Sequence, residues 1–160
     1  MRGLVRCAAP LVLLAACSAA PAVPAVPPVA DVREVRSVDP CTLAGPEALA
    51  EAGVAPPGVP TAGPDGAGCT WRGAGATLSI TPFPGELGAL ARGSDATTTR
   101  VRLAGRPALE TFTGAGEFCQ YDVAVADDQA LLLALDGGRP DSCTALQALA
   151  PGLLDTLPGG

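Results

Sequence analysis

Cysteine is the residue type in this sequence with the clearest chemistry, because a thiol can be acylated, oxidised or bound to a metal. Six cysteines occur among the 160 residues. Cys17 directly follows Leu14-Ala15-Ala16, after a basic start and an apolar run. This is the pattern of a bacterial lipobox, in which the cysteine thiol accepts a diacylglyceryl group before the signal is cut off. The sequence therefore predicts cleavage before Cys17 and a lipid on its thiol.

The predicted lipid would hold the protein at a membrane, since two or three acyl chains exceed the marginal affinity of one. The uncharged stretch 7–29 contains five prolines, which would interrupt a helix of the about 20 residues that a bilayer requires. We expect a signal peptide over 1–16, a lipidated Ala/Pro-rich tether over 17–38, and a location on the outer face of the cytoplasmic membrane. The alternative is an ordinary Ala-x-Ala cleavage in which Cys17 is incidental.

The remaining thiols point to disulfide bonds. Cys7 is lost with the predicted signal, and four cysteines remain beyond Cys17, an even number in a chain expected to be exported. Spacing alone leaves three pairings open. We favour the pairing in which each bond joins a predicted helix terminus to the next predicted strand, which gives Cys41–Cys69 and Cys119–Cys143. A four-thiolate zinc site is the alternative, but the sequence has no Cys-x-x-Cys spacing.

Composition and charge exclude several classes of function. Histidine is absent, which removes the usual general base near neutral pH and the usual transition-metal ligand. The net charge is −6, and losing two of the 10 basic residues with the signal, but none of the 16 acidic ones, takes it to −8. Such an acidic chain is not expected to bind nucleic acid. We also expect no metal and no cofactor.

Two side chains are candidates for contact with a ligand or partner. Trp71 could line a groove, although a lone tryptophan beside a disulfide more often fills the core. Arg106 could present a cation, although such an arginine is more often solvated or paired with a nearby acid such as Glu110. We therefore expect a noncatalytic accessory module that binds an envelope protein or a small ligand. The alternative is an envelope hydrolase or transferase that works through carboxylates, for which the candidates are Glu86, Glu110, Glu117 and Asp122.

Helix signals appear near both ends of the region that follows the tether. Pro46 early and Gly53 late delimit a short helix, and Asp141 precedes a second, C-terminal helix that Pro151 should kink or break. Between the helices, residues 55–68 hold four prolines and four glycines and are predicted to form a loop.

Six strand-like runs lie between these helices, and they cover residues 69–72, 76–81, 98–103, 108–113, 118–126 and 129–135. The last two form the clearest hairpin, with a turn at Asp127-Asp128. Leu131 to Leu135 is apolar on both faces and is expected in the middle of the sheet. Residues 39–160 are thus predicted to form a single small α+β domain with two disulfides, whose antiparallel sheet of about five to six strands carries a short N-terminal-side helix and a C-terminal helix.

Short motifs follow one another in order between residues 39 and 158, after the lipobox. They are Asp39-Pro40-Cys41, Cys69-x-Trp71, Val101-x-x-x-Gly105-Arg106-x-Ala108, Cys119 on a strand, Asp141-x-Cys143-x-x-Leu146 and Leu157-Pro158. In these features the chain resembles a family of small actinobacterial lipoproteins classed as a domain of unknown function. The resemblance implies an exported, disulfide-bonded α+β domain and supplies no agreed activity. Pro151 departs from the continuous final helix that the family pattern suggests.

Overall fold

The computed structural model describes residues 35–63, 66–85, 87, 97–113, 117–137 and 141–157. The predicted signal peptide, nearly all of the predicted tether, Cys17 and Glu86 lie outside the described residues. Val35, the first described residue, is fully buried, and its N–H donates a hydrogen bond of 2.6 Å to Oε1 of Gln129.

Within the described residues, seven strands form one antiparallel sheet, in the order β1-β2-β3-β7-β6-β5-β4. Their bounds are β1 Ala55–Gly63, β2 Gly66–Arg72, β3 Thr77–Pro84, β4 Thr97–Leu103, β5 Arg106–Thr113, β6 Phe118–Ala126 and β7 Gln129–Asp136. The predicted α+β class and antiparallel sheet are confirmed. The predicted count of five to six strands is wrong, because one strand was missed.

The missed strand is β1, which lies within the segment 55–68 that was predicted to be a loop. Its prolines and glycines argue against a central strand, but β1 is an edge strand, where a missing N–H is tolerated because one side of the ladder has no partner. Gly58 also serves a packing purpose, since a Cβ there would come within 2.5 Å of Sγ of Cys69. The composition that suggests a loop is therefore compatible with this particular strand.

The described part of the chain contains two 3-10 turns, Val35–Ser37 and Pro40–Thr42, and two α-helices, α1 Pro46–Glu51 and α2 Ser142–Asp155. Helix α1 begins with the predicted proline and ends before Gly53, whose φ is +71°. Of the kink or break predicted at Pro151, the break is wrong, because α2 continues through Pro151 to Asp155. Pro151 is exposed, so its ring lies on the side of α2 that faces away from the core.

The two α-helices cover one face of the sheet, here called the helix face and marked by Trp71, Leu78 and Tyr121. Alternate strand residues on this face are buried, in keeping with the period of two in a strand. Strand β7 is fourth of the seven strands, which confirms the prediction that Leu131 to Leu135 lies in the middle of the sheet. The face on the other side of the sheet is called the opposite face.

Two disulfides attach helical segments to the helix face. Cys41 of the second 3-10 turn is bonded to Cys69 of β2, and Cys143 of α2 is bonded to Cys119 of β6, each with a Cα–Cα distance of 5.1 Å. This is the pairing favoured from the sequence. Each bond joins a helical segment to a strand, so the second 3-10 turn and α2 are covalently attached to the sheet.

Candidate functional site

Trp71 is a core residue. Its side chain is 1% exposed and lies on the helix face of β2, beside the Cys41–Cys69 disulfide. The indole packs against β1 so closely that a Cβ at Gly58 would come within 2.6 Å of its Nε1. Trp71 therefore packs in the core, in agreement with the interpretation that a lone tryptophan beside a disulfide fills the core.

Arg106 begins β5 and is half-buried. Its Nη1 donates to the carbonyl oxygen of Val125 at 3.5 Å, which ties the start of β5 to β6. Strands β3, β7 and β6 lie between Trp71 and Arg106, so the two residues are at least about 19 Å apart at the usual spacing of strands. The structure does not bring these two candidates together.

Of the carboxylates proposed for a hydrolytic mechanism, Glu110 and Asp122, both within the described residues, do not lie on the same face of the sheet. Glu110 pairs in register with Tyr121, whereas Asp122 pairs with Leu109, so the side chains of Glu110 and Asp122 lie on different faces of the sheet. Asp122 is fully buried on the opposite face, where its Oδ1 accepts a hydrogen bond of 2.6 Å from Nε2 of Gln120. Glu117 is exposed just before β6.

A polar network joins α2 to the sheet on the helix face. Tyr121 is fully buried, its hydroxyl donates to Oε2 of Glu110, and the same hydroxyl accepts a hydrogen bond of 2.7 Å from Nε2 of Gln147 in α2. Burial raises the pKa of Tyr121 above its ordinary value of 10.0, and the hydrogen bond to Glu110 raises it further.

Sequence reasoning missed the Glu110–Tyr121–Gln147 network, because its members belong to three elements. Glu110 and Tyr121 face each other because of the register between β5 and β6, and that register cannot be read from the sequence. One signal was present: Tyr121 is the only tyrosine of the chain and falls at a core position of a strand, where its hydroxyl requires a hydrogen-bonding partner.

The hairpin of β4 and β5 concentrates positive charge on an acidic protein. Five arginines lie among the described residues, and three of them, Arg100, Arg102 and Arg106, belong to this hairpin. Arg100 and Arg102 are exposed, and they lie on the opposite face because Arg100 pairs with Leu109, which itself pairs with Asp122. Glu110, the one acidic residue within β4 and β5, lies on the helix face. The outer strand thus presents a basic stripe.

The turn of this hairpin fixes which backbone groups of β4 point away from the sheet. Ala104 and Gly105 form a two-residue turn with φ of +49° and +79°, so the flanking pair Leu103 and Arg106 exchanges ladder hydrogen bonds. Hydrogen-bonded pairs recur at every second position in an antiparallel ladder. The N–H and C=O groups of the intervening residues therefore point outward, and these residues are Thr98, Arg100 and Arg102.

None of the helices within the described part of the chain has both the length and the apolar character needed to cross a membrane. Nor do the described residues include a group of three or more Cys, Asp or Glu side chains placed to hold a metal ion.

Comparison with known proteins gives one match. A family model described as a protein of unknown function (DUF3558) matches residues 12–156, which is most of the chain. No curated protein and no solved structure matches the sequence or the fold.

Proposed function

The chain belongs to a family of proteins of unknown function, DUF3558, and within that family we propose that it is a lipid-anchored, noncatalytic binding module of the cell envelope. In this proposal Cys17 carries the lipid at the outer face of the cytoplasmic membrane, and the domain beyond the tether binds an envelope protein or a small ligand.

The observation that carries the proposal is the pairing of cysteines. Cys41, Cys69, Cys119 and Cys143 are all used in two disulfides, and such bonds persist in oxidising compartments outside the cytoplasm. With Cys7 inside the predicted signal, Cys17 is the one cysteine left for another role, and it stands directly after Leu14-Ala15-Ala16. The family match begins at residue 12 and so includes this motif. Disulfide-bonded cysteines in the domain and a separate one at the lipobox together support an exported lipoprotein.

Two features support binding rather than catalysis. Glu110 and Asp122 lie on different faces of the sheet, so they cannot act together on one bond as acid and base. The polar groups at Tyr121 are used in holding α2 against the sheet. In contrast, the β4 edge offers an exposed, charged surface on an otherwise acidic chain.

The anchor is tested by labelling with an alkyne fatty acid in a bacterium that processes lipoproteins. We expect the full chain to be labelled and to partition into detergent, and the Cys17→Ser variant to lose both properties. Cys7→Ser is the matched control: it removes a thiol of the signal peptide, and its label should be retained. Label that persists in Cys17→Ser, or a wild-type chain released unlabelled, would refute the anchor.

The binding role is tested by crosslinking on intact cells that carry either the wild-type chain or Cys17→Ser. We expect the anchored chain to form discrete crosslinked products with defined envelope components. Recovery of nothing but lipids and bulk envelope material would count against the proposal. The unanchored variant shows whether the contact depends on being held at the membrane.

A further inference from the structure

We infer that the outer edge of β4 is the docking site of this module, and that it takes an extended acidic segment of a partner protein as an added strand. This inference rests on the binding role proposed above, but not on the lipid anchor. It names the surface, the mode of binding and the chemistry of the partner.

The backbone of β4 is suited to pair with another strand. Among the described residues β4 is the last strand on its side of the sheet, and Thr98, Arg100 and Arg102 direct three N–H and three C=O groups outward. The strand is seven residues long, it contains no proline, and its register with β5 has no bulge. These are the features of an edge that accepts a strand.

The other edge of the sheet is closed to this kind of pairing. Strand β1 contains Pro56, Pro57 and Pro60, which have no N–H to donate, and its register with β2 is shifted between Ala55 and Val59. Prolines and bulges are the usual means by which edges are protected against pairing. The two edges therefore differ, and β4 is the one suited to pair with an added strand.

Charge specifies an acidic partner. Arg100 and Arg102 are exposed two residues apart, so both side chains lie on the opposite face of the edge. Arg102 is held in place, since its Nη1 donates to the carbonyl oxygen of Gly105 at 2.9 Å. In an added antiparallel strand, acidic residues at alternate positions would lie beside these guanidinium groups, and cross-strand pairs of opposite charge are favourable.

The helix-face side of the same edge favours small apolar side chains in the partner. Val101 is half-buried there and the neighbouring Leu103 is buried, so the intervening positions of an added strand would contact an apolar surface. The preferred segment therefore alternates acidic and β-branched apolar residues.

A second copy of this chain fits the edge poorly. Antiparallel pairing of two β4 strands around their central residue would place Arg100 directly opposite Arg100, and like charges in that position are destabilising. The tether of the same chain is also unsuited, because it has a proline every few positions and no charge before Asp31. Sedimentation of the free chain, described below, detects pairing between two copies.

The test uses a labelled synthetic peptide with the sequence Thr-Glu-Val-Glu-Val-Glu-Thr and the full chain in detergent. We expect saturable binding by fluorescence anisotropy, and slower amide hydrogen exchange at Thr98, Arg100 and Arg102 in the complex. A peptide with lysine in place of glutamate, and one N-methylated on its glutamates, should both bind at least about tenfold more weakly. Absence of binding by the acidic peptide overturns the inference.

Variants separate the contributions of charge and backbone. Joint replacement of Arg100 and Arg102 by glutamate should weaken binding about tenfold or more and should favour the lysine peptide. Arg72→Glu makes the same kind of charge change about 24 Å away, beyond the screening length, and should alter affinity less than about twofold. Equal losses in both would show that the peptide senses only net charge, which contradicts the inference.

Thr98→Pro removes one outward N–H while keeping both arginines, and should weaken binding about fivefold, the value of one hydrogen bond. Thr98→Val is its control: it removes the hydroxyl that contacts Oγ1 of Thr111 at 3.1 Å but keeps the N–H, and should bind normally. Equal binding by Thr98→Pro and wild type would refute strand addition, as would dimerisation of the free chain through β4 in sedimentation experiments. Loss of lipid labelling with intact peptide binding would refute the anchor alone.

Discussion

Tyr121→Phe should abolish the dependence of stability on pH above pH 10. Tyr121 is fully buried, and burial together with the Glu110 carboxylate raises its pKa in the folded state above the ordinary value of 10.0. The unfolded chain therefore loses the phenol proton first as pH rises. The stabilisation is fully present below about pH 10 and falls as pH rises further towards the folded pKa.

The size of this effect follows from linkage. With an unfolded pKa of 10.0 and a raised pKa in the folded state, the free energy of unfolding at pH 11 should be lower than at pH 9 by up to about 1.4 kcal/mol. The sequence makes this measurement unusually clean, because Tyr121 is the only tyrosine, lysine is absent, and arginine keeps its proton to above pH 12. The cysteines of the domain are disulfide-bonded and do not titrate.

Urea unfolding monitored by circular dichroism at intervals across this pH range provides the assay. Tyr121→Phe should cost about 1–3 kcal/mol at neutral pH, because Glu110 and Gln147 each lose a partner at the hydroxyl, and its stability should then stay level from pH 9 to 11. Parallel decline of the two proteins would refute the reasoning. Tyrosinate absorbance in a still folded wild-type chain below pH 11 would refute it as well.

Two further predictions concern packing and crosslinking. Replacing Cys119 and Cys143 together by alanine should lower the free energy of unfolding by about 3.5 kcal/mol in the chain-entropy model, because the disulfide closes a loop of 24 residues. A loss below about 1 kcal/mol in urea unfolding would contradict that account. Gly58→Ala should destabilise the fold by about 1–3 kcal/mol and shift the fluorescence of Trp71, because the new Cβ would clash with the indole and with Sγ of Cys69. An unchanged fluorescence spectrum and an unchanged free energy of unfolding would contradict the packing described.

Local signals identified most of the elements. Proline at the start and glycine after the end delimit α1, and alternation of apolar residues marks β3 and β6, because side chains of a strand alternate between faces. The turn at Asp127-Asp128 joins β6 to β7 as predicted. Continuous apolarity placed β7 in the middle of the sheet. Each of these signals depends on residues that are neighbours in the sequence.

Strand β1 and the continuity of α2 were beyond such signals. Pro60 in β1 and Pro151 in α2 each remove a backbone N–H, which locally argues against the element. The cost is tolerable because β1 lies at an edge and Pro151 lies on the exposed side of its helix, and both circumstances are properties of the assembled fold.

The sequence by itself determined the lipobox pattern at Cys17, the α+β class and the acidic, histidine-free composition, because these follow from residue type and near spacing. It favoured one disulfide pairing but left three open, and the structure decided between them. Only the tertiary structure decided what the candidate side chains do. Register placed Glu110 against Tyr121 and Asp122 on the other face, and strand order buried Trp71 far from Arg106. Strand order also placed β4 at an edge of the sheet, where the backbone N–H and C=O groups of Arg100 and Arg102 point away from β5. Register and strand order arise from contacts between distant segments, so no local pattern contains them.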